Sequence, residues 1–171
     1  MKWRRRSTSK SVSPSAIEAA AATATTHGLR AGGNRLSLPE PTLLNPAGLY
    51  DPSAKGYSHL AVVPAGAKIV YISGQYAADA AGRLASGEYA GQLRQAFRNL
   101  RIAIEAAGAA PQSVAKLTIL IVDHGDDKLP LLGEELNALF GQHRPAITLM
   151  PVPRLAESGM LIEIEAIAIV P

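Results

Sequence analysis

The segment AKLTILIV, residues 115–122, constrains the fold most strongly, because it is apolar on both sides of a predicted strand. Leu117, Ile119 and Ile121 would point to one face of a sheet. Leu120 and its neighbours of the same parity would point to the opposite face. Such a strand is stable only inside a sheet with cover on both faces. The chain has 171 residues, 47% of them hydrophobic, which suffices for one domain with a sizeable core.

Two helices are predicted, one before and one after this strand. Apolar residues recur at helical spacing from Glu88 to Gly108, and the glycine is placed to end the helix. A second helix is predicted to begin near Asp126 or Asp127, either of which can cap it, and to end before Gly141. The sequence therefore predicts helices long enough to cover one face of a sheet.

Four further strands complete the predicted fold. They are residues 60–64 and 68–75, joined as a hairpin, followed by residues 147–152 and 160–170. The preceding arm, residues 36–58, contains four prolines and is predicted to be irregular. The order β-β-α-β-α-β-β predicts an α+β fold with a single mixed sheet and both helices on one face.

The second face of this sheet has no cover within the predicted domain. Both helices lie on one face, and no other segment is long enough to pack on the opposite one. An extended apolar face of this kind is typical of a protein interface. The pattern therefore predicts a homo-oligomer whose sheet faces turn inward.

The basic residues are concentrated in a tail, residues 1–35, that precedes the predicted domain of residues 36–171. The tail holds seven Lys or Arg and one acid, so 17 − 7 = 10 basic and 14 − 1 = 13 acidic side chains remain, a net charge of −3. Its Ser, Ala and Arg content predicts disorder, although it also resembles an organelle transit peptide. A mildly acidic domain disfavours nucleic acid as the main ligand.

Several classes of site are absent from the sequence. The chain contains no cysteine, which excludes disulfides, cysteine nucleophiles and thiolate metal sites and is consistent with a reducing cytoplasm. No apolar run reaches the roughly 18–20 residues of a membrane-spanning helix. The histidines show no metal-ligand spacing, and no phosphate-binding loop or dinucleotide fingerprint is present. A soluble, cytoplasmic protein without metal, cofactor or membrane partner is predicted.

A few polar residues are candidates for chemistry. Glu163 and Glu165 share one face of the last strand, where a carboxylate among aliphatic side chains suits a general base. Such a pair can equally be two surface acids that meet basic partners or water. Ser73 and Gly74 end the second strand, where backbone N–H groups could face a ligand or simply leave the strand. Tyr57, at the end of the arm, fits a core or interface aromatic.

These segments together resemble one known family. The stretches that carry the resemblance, in chain order, are GYSHL at 56–60, VYISGQ at 70–75, QLRQAFRNLRIAIEAAG at 92–108, VAKLTILIVD at 114–123 and RPAITLMPVPRLAESGMLIEIEAIA at 144–168. The sequence is similar over about residues 43–171 to the Rid (YjgF) family of reactive-intermediate deaminases. The tail has no counterpart in that family.

The resemblance implies a fold like that of chorismate mutase and a homotrimer whose sheets line a central barrel. It also implies clefts between subunits, in which imines are hydrolysed to keto compounds and ammonia without a cofactor or metal. Carried over to this chain, Tyr57, Ser73 and Gly74 would bind substrate. Glu163 would position or activate water.

Two positions depart from the family pattern. Deaminase members carry an arginine two residues after the proline of a Pro-Ala-Arg motif, which holds the substrate carboxylate, whereas this chain has Ile147 there. Ile147, with Leu149 beyond it, instead suggests an apolar patch in the cleft. A second-helix asparagine of the family falls on Gly133. Strand alternation predicts that neither Arg144 nor Arg154 reaches the side of Ile147, because both lie at odd offsets from it.

Three hypotheses follow from the sequence. The first is a divergent imine deaminase, a trimer with an intersubunit small-molecule cleft and weakened activity on 2-imino acids. The second is a non-catalytic trimer that binds a ligand or a protein in the same cleft. The third, a nuclease or translation inhibitor, is disfavoured by the acidic domain.

Overall fold

A computed structural model describes residues 38–171, so the predicted disorder of the tail lies outside the described residues. The described part contains six strands and two α-helices. The strands are β1 (Thr42–Leu44), β2 (Leu60–Val62), β3 (Lys68–Tyr76), β4 (Val114–Val122), β5 (Ala146–Val152) and β6 (Ile162–Val170). The helices are α1 (Tyr89–Ala106) and α2 (Lys128–Phe140).

The main sheet is mixed and has the strand order β3-β6-β4-β5. Strands β4 and β5 run parallel, whereas β6 is antiparallel to both β3 and β4. The doubly apolar segment is thus an inner strand, as its pattern predicts. From residue 60 onward, the predicted order of elements and the mixed sheet are confirmed, but β1 is an additional strand and the strands form two sheets rather than one.

The predicted hairpin between residues 60–64 and 68–75 is wrong. Strand β2 pairs with β1, which lies in the arm expected to be irregular, and the two form a separate small sheet. Strand β3 pairs instead with β6 along most of its length, from Lys68 opposite Val170 to Tyr76 opposite Glu163. The physical reason is length: β3 and β6 each have nine residues, whereas β2 offers only three.

Both helices end as the sequence predicts, but they begin without side-chain caps. Gly108 adopts φ 74° after α1, and its N–H donates to Glu105 O at 3.0 Å. Asp127 precedes α2 without a capping hydrogen bond. Lys128 instead donates from Nζ to the carbonyl oxygens of Val122 and Asp123, which ties the start of α2 to the end of β4.

The two helices and one face of the main sheet form a single core. Leu117, Ile119 and Ile121 of β4 are fully buried in it. The helices contribute Leu93, Ala96, Phe97, Leu100 and Ile104 from α1 and Leu132, Leu136, Leu139 and Phe140 from α2. Both helices therefore cover the same face, as predicted.

The opposite face of the sheet is the less covered one. On it, by strand alternation and register, lie Ile69, Tyr71 and Met150, whose exposed fractions are 48%, 76% and 42%. Leu120 of β4 is only half-buried there. The surface predicted to need a partner chain is thus present.

Candidate functional site

A cleft of about 710 Å³ opens between the arm, helix α2 and the start of β5. Its walls are the turn at 53–57, the side of α2 that carries Leu132 and Leu136, and the segment 141–149. Three of the predicted site residues, Tyr57, Ile147 and Leu149, line it together. The structure therefore brings this part of the predicted site together within one chain.

Tyr57 is positioned by two features of the arm. A single helical turn, Ser53–Lys55, ends at Gly56, which adopts φ 81° and donates its N–H to Ser53 O at 3.1 Å. The next residue after the tyrosine, Ser58, donates its N–H to Pro145 O at 3.2 Å. This bond attaches the arm to the start of β5, so Tyr57 is held at the wall of the cleft.

Tyr57 belongs to a small aromatic cluster. Its hydroxyl is hydrogen-bonded to the hydroxyl of Tyr50, and its ring meets the edge of the His59 ring at 5.9 Å between centroids. His59 Nε2 donates to Tyr50 O at 2.8 Å, because a carbonyl can only accept. Lys55 Nζ lies 5.1 Å from the centroid of the Tyr50 ring. The cluster fixes the phenol of Tyr57 from two sides.

The floor of the cleft is apolar. Ile147 and Leu149 are partly buried and pack against the core, next to Leu132, Leu136 and Phe140 of α2. The sequence expectation of an apolar patch at Ile147 and Leu149 fits this placement.

Helix α2 also brings a polar group that sequence reasoning missed. Asn137 lines the cleft one helical turn after Gly133, which lines it too. A Cβ added at Gly133 would meet no atom within 4 Å, so the cleft is open at that point. The i,i+4 spacing of Gly133 and Asn137 was the available signal that an amide side chain lies on this side of the helix.

Arg144, which alternation predicts to face away from Ile147, lines the same cleft as that residue. Alternation of side chains applies within a strand, and β5 begins at Ala146, two residues after Arg144. Arg154, in contrast, lies outside this cleft and lines a smaller depression with Leu155 and Glu157.

The neighbouring His143 anchors this segment. Its Nε2 donates to Val114 O at 2.7 Å, and its ring lies 6.4 Å from that of Phe140. The chain is thus held to the sheet on one side of Arg144 by His143 and on the other side by the Ser58–Pro145 bond. The backbone that carries the arginine is therefore fixed.

The other predicted site residues form a second cluster, at a β-bulge in the edge strand β3. Ile72 is opposite Ala166 and Gln75 is opposite Ile164, so three steps along β3 match two along β6. Ser73 and Gly74, between them, have no register partner. The bulge therefore interrupts the ladder where the sequence placed a ligand-binding glycine.

The carboxylate of Glu163 lies directly against Gly74. A Cβ built on that glycine would overlap Oε1 and would lie 2.6 Å from Cδ and 2.8 Å from Cγ. Ordinary contact begins at 3.4 Å, so only glycine leaves room for this carboxyl group. Ser73, Gly74 and Glu163 are thus brought together by the structure.

The two clusters lie on opposite faces of the main sheet. Ile147 is in register with Leu117, whose side chain is in the core, whereas Glu163 is in register with Leu120 on the other face. Glu163 does not line the cleft of Tyr57. Within one chain, Glu163 and the cleft of Tyr57 therefore lie apart.

Glu165 has surroundings different from those of Glu163. It is exposed and is in register with Thr118. Lys116 lies two residues before Thr118, on the same face of β4. Burial lowers the pKa of Lys116, while the charge of Glu165 acts in the opposite direction. Lys116 Nζ also donates to Thr148 Oγ1 at 2.5 Å and Leu117 O at 3.1 Å. The charge of Lys116 is therefore close to Glu165, but no ion pair joins the two within residues 38–171.

Within residues 38–171, no three or more His, Asp or Glu side chains converge as a metal site requires. Neither helix of this part of the chain is long and apolar enough to cross a membrane.

The fold and the two clusters define a class of protein with two helices on one face of a mixed sheet and a bulge that receives a carboxylate. The sequence profile of the family described as endoribonuclease L-PSP matches residues 50–170. The chain therefore belongs to that family, the Rid or YjgF family.

Named relatives support this assignment. The chain is 35% identical over 100 residues to a RutC family protein of Pyrococcus horikoshii, which covers 58% of this chain and 77% of the relative. It is 35% identical over 120 residues to the 2-iminobutanoate/2-iminopropanoate deaminase of Rattus norvegicus, covering 69% and 83%. The deaminase of the same name from Homo sapiens is 36% identical over 103 residues, covering 60% and 73%.

Solved structures of the family have the same fold. A Rid-family protein of unknown function from Yersinia pestis aligns with a TM-score of 0.71 and 30% identity, covering 75% of this chain and 98% of that one. RidA from an Antarctic Psychrobacter aligns with a TM-score of 0.55 and 29% identity, covering 74% and 94%.

Proposed function

We propose that the chain forms a homotrimer that hydrolyses imines in clefts between subunits. In this assembly, the Tyr57 cleft of one subunit faces Ser73, Gly74 and Glu163 of the next. The observation that carries the proposal is the separation of the two clusters on opposite sheet faces. A neighbouring copy packed on the open face, where Tyr71 is 76% exposed, would complete the site. Relatives named as imine deaminases supply the reaction class.

The reaction needs one proton acceptor and one polar contact to nitrogen. Glu163 accepts a proton from water as the water oxygen forms a bond to the imine carbon. The carbon–nitrogen bond then breaks, and the two water protons end on nitrogen, so that an imine and water give a keto compound and ammonia. The Tyr57 hydroxyl orients the substrate at the wall of the cleft. No electron transfer occurs, so no redox cofactor is required.

Ile147 sets a limit on the substrate. The side chain cannot pair with a carboxylate, and a charge-assisted hydrogen bond contributes roughly 1.5–3 kcal/mol. Loss of it should lower activity on a compact 2-imino acid by about one to two orders of magnitude. We therefore propose weak hydrolysis of 2-iminopropanoate and a preference for other imines.

The shared site can be tested by mixing two inactive variants. Glu163→Ala keeps the cleft, and Tyr57→Ala keeps the carboxylate. When the two variants assemble at random into trimers from a 1:1 mixture, about a quarter of the sites between subunits should combine an intact Tyr57 from one subunit with an intact Glu163 from the next. Light scattering should give the mass of a trimer for each variant and for the wild type.

The measurement is ammonia release from imines generated by an amino-acid oxidase. Recovery in the mixture, with none in either variant alone, supports the shared site. An inactive mixture of folded trimers, or a monodisperse monomer, would contradict it.

A second candidate is a cytoplasmic trimer that binds a small molecule in the same cleft without hydrolysing it. The observation in its favour is Ile147 in place of the carboxylate-binding arginine. Single-turnover ammonia release separates the two, since a binding protein would not raise the release from any imine above the spontaneous rate of hydrolysis. The net charge of −3 over residues 36–171 gives no support to a nucleic-acid partner.

A further inference from the structure

The charges around the Tyr57 cleft are unevenly distributed. Residues 38–171 contain 10 Lys or Arg and 13 Asp or Glu, because the counts for 36–171 are unchanged by Leu36 and Ser37. Two of the ten cations, Lys55 and Arg144, line the cleft, and none of the thirteen acids does. Within one chain the cleft thus carries only basic charges, and in the proposed trimer, where Glu163 of the neighbouring subunit faces it, two cations still stand against one acid, which favours an anionic ligand.

The two cations differ in how free they are to bind. Lys55 lies over the Tyr50 ring, 5.1 Å from its centroid, at the arm side of the cleft. Arg144 forms no ion pair within residues 38–171, where the only such pair joins Arg83 and Asp79. Its backbone is held on both sides, by His143 and by Pro145 O. Arg144 therefore lines the cleft from a backbone held on both sides and forms no ion pair within residues 38–171, and Lys55 adds attraction from the other wall.

The body of the ligand is indicated by the floor of the cleft. Leu132, Leu136 and Phe140 line it from α2, and Ile147 and Leu149 line it from β5. A cleft of about 710 Å³ lies in the range that accepts a drug-sized molecule, roughly 300–1,000 Å³. An imine derived from alanine would leave most of this apolar surface in water. A larger aliphatic or aromatic side chain would cover it.

We propose that Arg144 binds the carboxylate of a substrate whose large apolar side chain packs on Ile147 and Leu149. The carboxylate rests on the proposed imine hydrolysis, in which imines derive from amino acids. The anion site is displaced from position 147, because Arg144 lines the cleft from the segment that precedes β5. Compared with the family pattern, the contact with the carboxylate thus moves from position 147 to Arg144, and Ile147 contacts the apolar side chain of the substrate.

The binding test uses stable keto acids as probes, so that it does not depend on turnover. Isothermal titration of the full chain is carried out with 4-methyl-2-oxopentanoate, with pyruvate and with the methyl ester of 4-methyl-2-oxopentanoate. The branched keto acid should bind at least tenfold more tightly than pyruvate and than its own ester. Arg144→Gln should weaken its binding at least tenfold and leave ester binding unchanged. Arg154→Gln, which removes a charge outside the cleft, is the matched control.

The outcomes separate this inference from the proposed hydrolysis. A preference for the branched keto acid over its ester that is lost in Arg144→Gln and kept in Arg154→Gln supports the inference, even if no ammonia release is detected and the proposed hydrolysis fails. Equal binding of the two keto acids overturns it. So does unchanged affinity in a folded Arg144→Gln trimer, even if the wild type hydrolyses imines.

Discussion

Replacing Gly74 by alanine would test directly whether the bulge in β3 exists to receive the Glu163 carboxyl group. The added Cβ would lie 2.6 Å from Cδ, and ordinary contact begins at 3.4 Å, so the carboxyl carbon must move by at least 3.4 − 2.6 = 0.8 Å. Overpacking costs roughly 1–3 kcal/mol. Because Glu163 is only half-buried and can swing away, the free energy of unfolding should fall by about 1 kcal/mol, the lower end of that range.

The same substitution should be harmless once the carboxyl group is gone. Gly74 does not have a positive φ, so alanine fits its backbone. In a Glu163→Ala background, Gly74→Ala should then be neutral or stabilising by up to about 1 kcal/mol, because alanine restricts the unfolded chain. The double-mutant cycle should therefore give a coupling energy of about 1–2 kcal/mol.

Urea denaturation of the four proteins gives the cycle, and single-turnover ammonia release gives the consequence for chemistry. A displacement of about 1 Å should slow hydrolysis by roughly 10²-fold. Gly87→Ala is the control, because a Cβ there meets no atom within 4 Å and the backbone has no positive φ. An equal loss of stability in both backgrounds would refute the steric argument.

Three further predictions concern α1, α2 and β5. Ile147→Arg should raise hydrolysis of 2-iminopropanoate at least tenfold, since it supplies a carboxylate partner next to Tyr57; an unchanged rate in a folded trimer would count against the proposed limit. Gly133→Ala should raise the free energy of unfolding, measured in urea, by about 0.5–1 kcal/mol, because alanine favours a helix more than glycine does and a Cβ at this position meets open space. A lower free energy of unfolding would show that the fold of the cleft needs the open space at position 133. Burial raises the pKa of the Tyr89 hydroxyl to about 12, with the charge of Asp127 adding to the rise, and the hydroxyl oxygen has no partner within the described residues. As the pH rises, this tyrosine therefore ionises first in the unfolded state, so the free energy of unfolding of the wild type should fall between pH 10 and pH 12. Tyr89→Phe should lack this part of the fall, and below pH 10 it should be more stable than the wild type by about 0.5–1.5 kcal/mol. Parallel pH profiles of the two proteins would contradict this.

Long periodic segments made most of the fold predictable. The residues 115–122 segment alternates without interruption, and the period of α1 runs from Glu88 to Gly108, so local sequence is enough to identify both. The pairing predicted between residues 60–64 and 68–75 is wrong. Residues 60–62 prefer β1 over β3 because the nine-residue β6 competes for β3, and that competition involves segments about 90 residues apart. Proximity in sequence is a weak guide when a longer partner exists.

The sequence proposes candidate residues for the site but not their arrangement. Tyr57, Ile147 and Leu149 share one cleft, and Gly74 meets Glu163 elsewhere, with Ser73 beside it in the bulge. Alternation is no guide to Arg144, because β5 begins only at Ala146. Asn137 was missed because its role depends on which side of α2 faces the arm, and the spacing alone does not say so.

The bulge explains how the edge strand β3 makes room for the Glu163 carboxyl group of the neighbouring strand β6. A regular β3 would pair with β6 throughout, and a residue with a Cβ would occupy the space of the carboxyl group. One extra residue removes Ser73 and Gly74 from the ladder and leaves their backbone groups without a register partner. It also places the Glu163 carboxyl group against the outer strand β3, whereas Glu165, on the same strand β6, is in register with Thr118 of β4. In the proposed trimer, a neighbouring copy on the open face would meet Glu163 beside this outer strand, with the ligand between the two subunits.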